Sequence, residues 1–291
     1  MDIESRMVRK IDRDREHSTP ELSPEMARAY EKTELIFSDP KYSVQETDFI
    51  PAYGQENVAT DMSLVKELKA KFEARDTPEK KKLKRIADIF EAIVLTQAES
   101  RKWFGDASTL KTSAYDDYIN KVDMITEWFT PKEGSRVLAL AVDVTFSAES
   151  IQEKLKAIKA EIDRGELGSI KYFKDKRGDF MGIRNNVPRI VVGVSESVIE
   201  ELADLWVREE HKALEEHPIQ ILFLDEMLAQ LQFMHDYALK RNNVTAALAY
   251  KQVLETVRPI HEQKLDLRKR TLSRDGVATE IVIDAQKIFR P

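Results

Sequence analysis

The chain has 291 residues, with 46 Lys and Arg against 52 Asp and Glu, a formal net charge of −6 and no cysteine. This composition is typical of a globular protein that buries a sizeable core without disulfides. The lack of cysteine excludes thiolate catalysis and cysteine-based zinc or iron–sulfur sites, and the five histidines have no zinc-binding spacing. Any metal site must therefore rest on carboxylates, which prefer hard cations such as Mg²⁺ or Mn²⁺.

The start of the chain, residues 1–20, is charged and lacks the apolar segment of a secretory signal. No apolar run approaches the length of a membrane span. We therefore expect a cytoplasmic protein without a membrane partner. The net acidity argues against a uniformly basic surface for nucleic acid, but it is compatible with local basic patches.

Glycine and proline interrupt regular structure, and their uneven distribution divides the chain into three zones. We predict an N-terminal arm over 1–76 with a short helix near 25–37, an α/β core over 77–195, and a helical C-terminal extension over 196–291 packed on the core. The predicted fold class is α/β (α+β), with a mixed central sheet of about four strands flanked by helices.

The core zone opens with a strong helix signal. Thr77 suits the N-cap position and Pro78 the first turn, and apolar residues then recur at helical spacing toward Trp103. These features predict a long amphipathic helix over 78–103. The polar stretch behind it contains Asp116 and Asp117, which are explained either as a turn before a strand or as neighbours of a site.

The rest of the chain is predicted from hydrophobic periodicity and from breaks at glycine and proline. The elements of the core, in order, are strands over 122–129 and 136–146, a helix over 148–164, a turn-rich basic region around 171–177 and a buried strand over 189–195. Those of the extension are helices over 196–214, 218–241 and 243–268 and a small strand over 280–284.

Two aspartates lie where an antiparallel pair of strands would bring them together. Asp123 opens the first predicted core strand and Asp143 lies near the end of the second, so both reach the same edge of the sheet. Two converging carboxylates repel each other, and a divalent cation is the usual compensation. Each residue also has a plain structural explanation, Asp123 as a solvated strand entry and Asp143 as a cap at a strand end.

With the helix before these strands and the helix and strand after them, residues 78–195 resemble the PD-(D/E)XK nuclease superfamily. The matching residues are Glu91 in Ile-Phe-Glu-Ala, Asp123 in Lys-Val-Asp-Met and Asp143 in Ala-Val-Asp-Val-Thr. The resemblance implies that these three bind Mg²⁺ or Mn²⁺ and that the chain hydrolyses nucleic acid, DNA before RNA. Glu99 competes with Glu91 for the helix position. We favour Glu91, because a carboxylate within a hydrophobic stretch is harder to explain as surface.

The chain departs from the family pattern at Thr145, which stands where the family carries a lysine. A hydroxyl does not supply the positive charge that stabilises charge developing in the reaction. A lysine of the following helix is the expected substitute, Lys154 or Lys159. Loss of the motif lysine equally fits an inactive nuclease fold that binds nucleic acid or serves in assembly, with the helical extension contacting a protein partner or a second copy.

A basic segment before the last core strand supplies candidate nucleic-acid contacts. They are Lys171, Lys174, Lys176 and Arg177, with Tyr172 and Phe173 interleaved. Lysine and arginine pair with phosphates, and aromatic rings stack on bases. Solvated surface is the alternative explanation here, as it is for the basic runs 80–85 and 268–270.

Overall fold

The computed structural model describes residues 22–130, 134–143, 148–175, 178, 180–269 and 275–290. The helices of these ranges are α1 Pro24–Ser38, α2 Ile50–Tyr53, α3 Gln55–Glu73, α4 Pro78–Arg101, α5 Ala148–Arg164, α6 Glu196–Val207, α7 His211–Glu215, α8 Ile219–Lys240, α9 Val244–Gln263 and α10 Gly276–Ile288. The strands are β1 Ser108–Lys111, β2 Met124–Thr130, β3 Gly134–Asp143, β4 Gly168–Lys174, β5 Met181–Val187 and β6 Arg189–Gly193. The predicted α+β class is confirmed.

The central sheet has four strands in the order β1, β2, β3 and β6. β1, β2 and β3 form an antiparallel meander, and β6 pairs with β3 in parallel. A parallel pair needs a long crossover connection, which α5 and the β4–β5 hairpin provide here. The predicted mixed sheet is confirmed, and β1 is a strand that the sequence did not indicate.

Helix α4 contains Glu91 and packs against the central sheet. The Thr77 hydroxyl accepts a hydrogen bond from the Lys80 amide at 3.3 Å, as an N-cap does. The second half of the helix is buried almost without a break, from Ile89 to Ala98. It therefore lies inside the molecule, between α1, α6 and the sheet, and the prediction of a long helix from residue 78 is confirmed.

Two predictions about the type of local structure are wrong, and the helix predicted over 196–214 is divided into α6 and α7. The region around 171–177 does not consist of turns, because β4 and β5 form an antiparallel hairpin in which Tyr172 and Phe173 are buried. The segment 280–284 is not a strand but part of α10, which Asp275 caps by accepting the Ala278 amide at 3.0 Å. Its run of β-branched residues suggested a strand, whereas Ile281 and Ala285 are buried at helical spacing.

The largest apolar cluster takes residues from all three predicted zones, among them Met26 of α1, Phe90 of α4 and Phe289 beyond α10. The N-terminal zone also contains α3, a 19-residue helix that the sequence analysis did not predict. The proposed boundaries at residues 76 and 195 stay predictions. Within the described ranges, no helix combines the length and the apolarity that crossing a bilayer demands.

Candidate acidic site at the edge of the central sheet

Four carboxylates and one lysine meet at one edge of the central sheet, and we call this group the acidic edge. Its members are Asp88 and Glu91 on α4, Lys111 at the end of β1, Asp117 in the π-helical turn Asp116–Asn120, and Asp123 just before β2. The β1–β2 register, in which Lys111 pairs with Met124, brings the lysine beside Asp123. Four consecutive parts of the fold therefore supply this site.

Glu91 is the most buried member of the acidic edge, with 7% of its surface exposed. The Lys111 Nζ donates a hydrogen bond to its Oε2 at 2.5 Å. The same ammonium lies 4.4 Å from the centre of the Phe37 ring, which adds a cation–π contact. Lys111 of β1 thus contacts both α4, through Glu91, and α1, through Phe37.

The acidic edge carries more negative than positive charge. Burial raises the pKa of Glu91 above its ordinary value, because Lys111 offsets only part of the desolvation and Asp123, Asp88 and Asp117 oppose a further negative charge. Burial likewise raises the pKa of Asp88. Burial lowers the pKa of Lys111, but the surrounding carboxylates, Glu91 first, outweigh it and hold this pKa above its ordinary value. The lysine therefore stays charged, while the carboxylates compete for it.

Asp143 lies at the same end of the sheet as Asp123. It is the last residue of β3 and pairs with Gly193 of β6, while Met124 pairs with Leu140 across the β2–β3 ladder. The backbone thus agrees with the arrangement expected of an antiparallel pair. The side chain of Asp143 and the whole of Thr145 lie outside the described residues, so the proposed roles of both stay predictions.

The two helix positions weighed for the catalytic glutamate separate in the structure. The negative charge of Asp123 acts on Glu91 and raises its pKa. In contrast, a side-chain oxygen of Glu99 accepts a hydrogen bond from the Thr109 amide at 2.9 Å. Glu99 also lines a different pocket, together with Lys41 and Lys174. The geometry therefore favours Glu91 as the partner of Asp123.

The predicted nucleic-acid contacts lie against the N-terminal zone. Lys171 forms an ion pair with Asp61, and its ammonium lies 4.6 Å from the Tyr115 ring centre. Lys174 pairs with Asp48 at 3.5 Å. Their charges are thus shared with carboxylates of the same chain. Lys176 and Arg177 lie outside the described residues, as does Arg270 of the third basic run.

Lys154, the predicted substitute for the motif lysine, is half-buried on α5. Lys111 forms an ion pair with Glu91 and lowers the pKa of both Glu91 and Asp88. This strand β1 lysine is therefore a further candidate for the role of the motif lysine. Sequence reasoning missed Lys111 because β1 is only four residues long, and it missed Asp88 although the spacing of three from Glu91 places both on one helix face.

Asp116 serves a different purpose from its neighbour Asp117. It is fully buried, and its carboxylate accepts hydrogen bonds from the Ser113 hydroxyl and the Asn120 amide. It also accepts the backbone amides of Lys171 and Tyr172 at 2.7 and 3.0 Å. Four donors satisfy this carboxylate, which fastens the π-helical turn to β4. The structural explanation of Asp116 as part of a turn is the one that these contacts favour.

The oxygen donors of the acidic edge are chemically suited to a hard divalent cation. Burial first, and then repulsion from the neighbouring carboxylates, raises the pKa of Glu91, and such a cation would relieve that repulsion. Among the residues described, no three carboxylate or imidazole side chains already surround one point closely enough to hold an ion. Lys111 supplies the positive charge at Glu91 in this arrangement.

Comparison with protein families, with curated proteins and with solved structures found no match to this chain.

Proposed function

We propose that the chain is a metal-dependent nuclease-like protein that hydrolyses phosphodiester bonds of nucleic acid at the acidic edge. The observation that carries the proposal is that Glu91 of α4 lies near enough to Asp123, just before β2, for their charges to repel. This happens at the sheet end where β3 ends in Asp143. These are the positions that the resemblance to PD-(D/E)XK nucleases assigned to metal ligands. The strand order, a meander followed by a parallel fourth strand, supports the same assignment.

The proposed ligands are Glu91, Asp123 and Asp143, and the proposed cation is Mg²⁺ or Mn²⁺. When bound, such an ion supplies a Lewis acid that lowers the pKa of a water molecule and neutralises charge on the phosphate. Asp88 and Asp117 add to the negative electrostatic potential of the site, which favours the entry of a cation. Burial of Glu91 holds its carboxylate away from competing bulk water.

Lys111 is the residue that we propose in place of the missing motif lysine. Its ammonium already lies in hydrogen-bond contact with Glu91, and it remains protonated because carboxylates surround it. A cation at Glu91 would compete with this contact, leaving the ammonium to face a bound phosphate. A fixed positive charge beside the reacting phosphate stabilises the negative charge that develops there. Lys154 remains the second choice.

The proposal is tested by incubating the protein with single-stranded, duplex and branched DNA and RNA in Mg²⁺ or Mn²⁺. We expect the parent to cut at least one substrate and Asp123→Asn and Asp143→Ala to be at least about a hundredfold slower. Lys111→Met should also lose activity, whereas Lys154→Met should keep it. Equal cleavage by the parent and by Asp143→Ala would contradict the proposed nuclease function. Absence of cleavage by the parent on every substrate would contradict it as well.

A second candidate function is an inactive nuclease fold that binds nucleic acid or acts in assembly. The specific observation in its favour is that Lys111 already pairs with Glu91, and a permanent pair would leave that carboxylate unable to hold a cation. This candidate predicts that Glu91→Gln binds nucleic acid as the parent does. It also predicts no cleavage by the parent in either metal.

A further inference from the structure

A cluster of exposed lysines and aromatic rings adjoins the acidic edge, and we call it the lysine rim. It consists of Lys69 and Phe72 on α3, Lys84 on α4, Tyr118 in the π-helical turn and Lys121 just after that turn. The three lysines are exposed, and Phe72 keeps 41% of its surface exposed. Three separate parts of the chain bring these residues to one place.

Tyr118 lies at the centre of the lysine rim. The ammonium groups of Lys69 and Lys84 lie 5.4 and 5.6 Å from the centre of its ring, and Lys84 donates a hydrogen bond to its phenol oxygen at 3.0 Å. Lys121 donates to the Tyr118 carbonyl at 2.8 Å and lies 5.7 Å from the Phe72 ring. The two rings are 6.1 Å apart, centre to centre.

The lysine rim is a concentration of positive charge. In the described ranges none of its three ammonium groups forms an ion pair with a carboxylate, in contrast to Lys171 and Lys174. Asp88 and Asp117 act on Lys84 only from beyond ion-pair distance. A group of positive charges held together on aromatic faces suits an external polyanion. An exposed ring within this field offers a stacking surface for a base.

The lysine rim leads directly to the acidic edge along one face of α4. Lys84, Asp88 and Glu91 follow each other at helical spacing, from an exposed lysine to a half-buried aspartate to a buried glutamate. Lys84 and Lys69 both act on the Asp88 carboxylate and oppose the rise that burial causes in its pKa. A phosphate chain held by the rim would therefore continue toward the carboxylates.

We propose that the lysine rim binds one strand of nucleic acid, with phosphates on Lys69, Lys84 and Lys121 and a base stacked on Phe72. This proposal rests on the proposed function, in which the neighbouring acidic edge hydrolyses nucleic acid. A single strand is favoured over a duplex because its bases are free to leave their own stack and meet the ring. It replaces the segment around Lys171 as the main contact, since the charges there are paired within the chain.

Binding is measured without metal, so that the result does not depend on cleavage. The probe is a fluorescein-labelled oligothymidine in EDTA, followed by fluorescence anisotropy over a range of salt concentrations. We expect Phe72→Ala to weaken binding about fivefold or more. The double variant Lys69→Glu, Lys121→Glu should weaken it by at least about tenfold and reduce the salt dependence by about one phosphate contact or more.

Lys240→Glu is the matched control, an exposed lysine in the last turn of α8, and it should bind within about twofold of the parent. All variants are compared by thermal unfolding to show that they fold. Inorganic polyphosphate as competitor separates strand recognition from simple polyanion attraction. Phe72→Ala should weaken the binding of oligothymidine but leave the affinity for polyphosphate, obtained from the competition, unchanged.

Three results would overturn the lysine rim: no binding by the parent, binding by Phe72→Ala equal to that of the parent, or losses as large for Lys240→Glu as for the double variant. Cleavage in Mg²⁺ is recorded separately on the same proteins. Binding through the rim without cleavage would reject the nuclease activity and keep the rim. Cleavage that is unaffected by rim variants would reject the rim and keep the nuclease.

Discussion

Asp116 and Glu91 are both buried carboxylates in the same part of the fold, but their surroundings differ. Asp116 accepts four hydrogen bonds from well-placed donors, whereas Glu91 has one lysine and three neighbouring carboxylates. Burying an ionised group costs several kcal/mol unless hydrogen bonds or opposite charge replace the water. The hydrogen bonds of Asp116 explain its burial by the stability that they give to the fold, whereas the surroundings of Glu91 do not explain its burial in this way. The contrast separates an anchor of the fold from a candidate site.

The largest effect is expected at the anchor. Asp116→Ala removes the acceptor of two backbone amides in β4 and frees the π-helical turn, so we expect the free energy of unfolding to fall by about 3 kcal/mol or more. Urea denaturation at neutral pH measures this. Asp116→Asn keeps part of the hydrogen-bonding pattern and should lose less. A change below about 1 kcal/mol in the alanine variant would show that Asp116 is not an anchor.

The pair of Lys111 and Glu91 should respond asymmetrically. Lys111→Met leaves a buried carboxylate among like charges, and we expect a loss of about 2 to 4 kcal/mol. Glu91→Gln leaves the lysine beside Asp123 and Asp117, which still compensate its charge, so the loss should stay below about 1 kcal/mol. Denaturant unfolding of both single variants and the double variant decides the matter. Equal losses would mean that the two side chains form an ordinary closed ion pair.

Glu226 on α8 offers an intermediate test outside the acidic edge. It is 1% exposed, and neither of its carboxylate oxygens has a hydrogen-bond partner among the described residues. Burial raises its pKa well above the ordinary value, and the Gly193 backbone, which acts in the opposite direction, offsets only part of this rise. The folded state therefore holds a proton that the unfolded chain releases near pH 4.5.

The stability that this bound proton provides is present at low pH and declines as the pH rises from about 4.5 toward the folded-state pKa. Glu226→Gln removes the dependence. We expect the free energy of unfolding of the variant, relative to that of the parent, to increase by about 1.4 kcal/mol for each pH unit over this window. Unfolding measured at several pH values from 4 upward checks the slope. A constant difference between the two proteins would contradict a raised pKa.

Asp117 should show the smallest effect on stability. It is only half-buried and adds negative charge to a site that already has an excess, so Asp117→Asn should change the free energy of unfolding by less than about 0.5 kcal/mol. Thermal unfolding beside Asp116→Asn makes the comparison between adjacent aspartates. A loss for Asp117→Asn as large as that for Asp116→Asn would remove the distinction between anchor and site.

Much of the frame was predictable because local signals agreed with the packing. The cap at Thr77, the apolar spacing of α4, and helix α5 over 148–164 all identify elements that the structure contains. The placement of Asp123 and Asp143 at one end of the sheet follows from the antiparallel pairing of β2 with β3, which the sequence suggested. These features are encoded within short windows or by a common strand order.

The remaining features depend on contacts between distant parts of the chain. Lys111 reaches Glu91 only because a four-residue strand pairs with β2, and no periodicity marks so short a strand. The basic segment at Lys171 suggested a nucleic-acid surface, but the partners Asp61 and Asp48 lie more than a hundred positions away along the chain. Phe72 gained significance only when α3 placed it beside Tyr118. Charge runs alone do not show which charges are paired.

The central claim is that the acidic edge holds a hard divalent cation, and binding of Mn²⁺ measured by electron paramagnetic resonance tests it most directly. Titration of the parent, Asp123→Asn and the control Asp106→Asn compares a proposed ligand with an exposed carboxylate elsewhere. We predict that the parent and the control bind one ion with equal affinity and that Asp123→Asn binds at least about tenfold more weakly. Equal affinity in all three proteins, or no binding by the parent, would contradict the account.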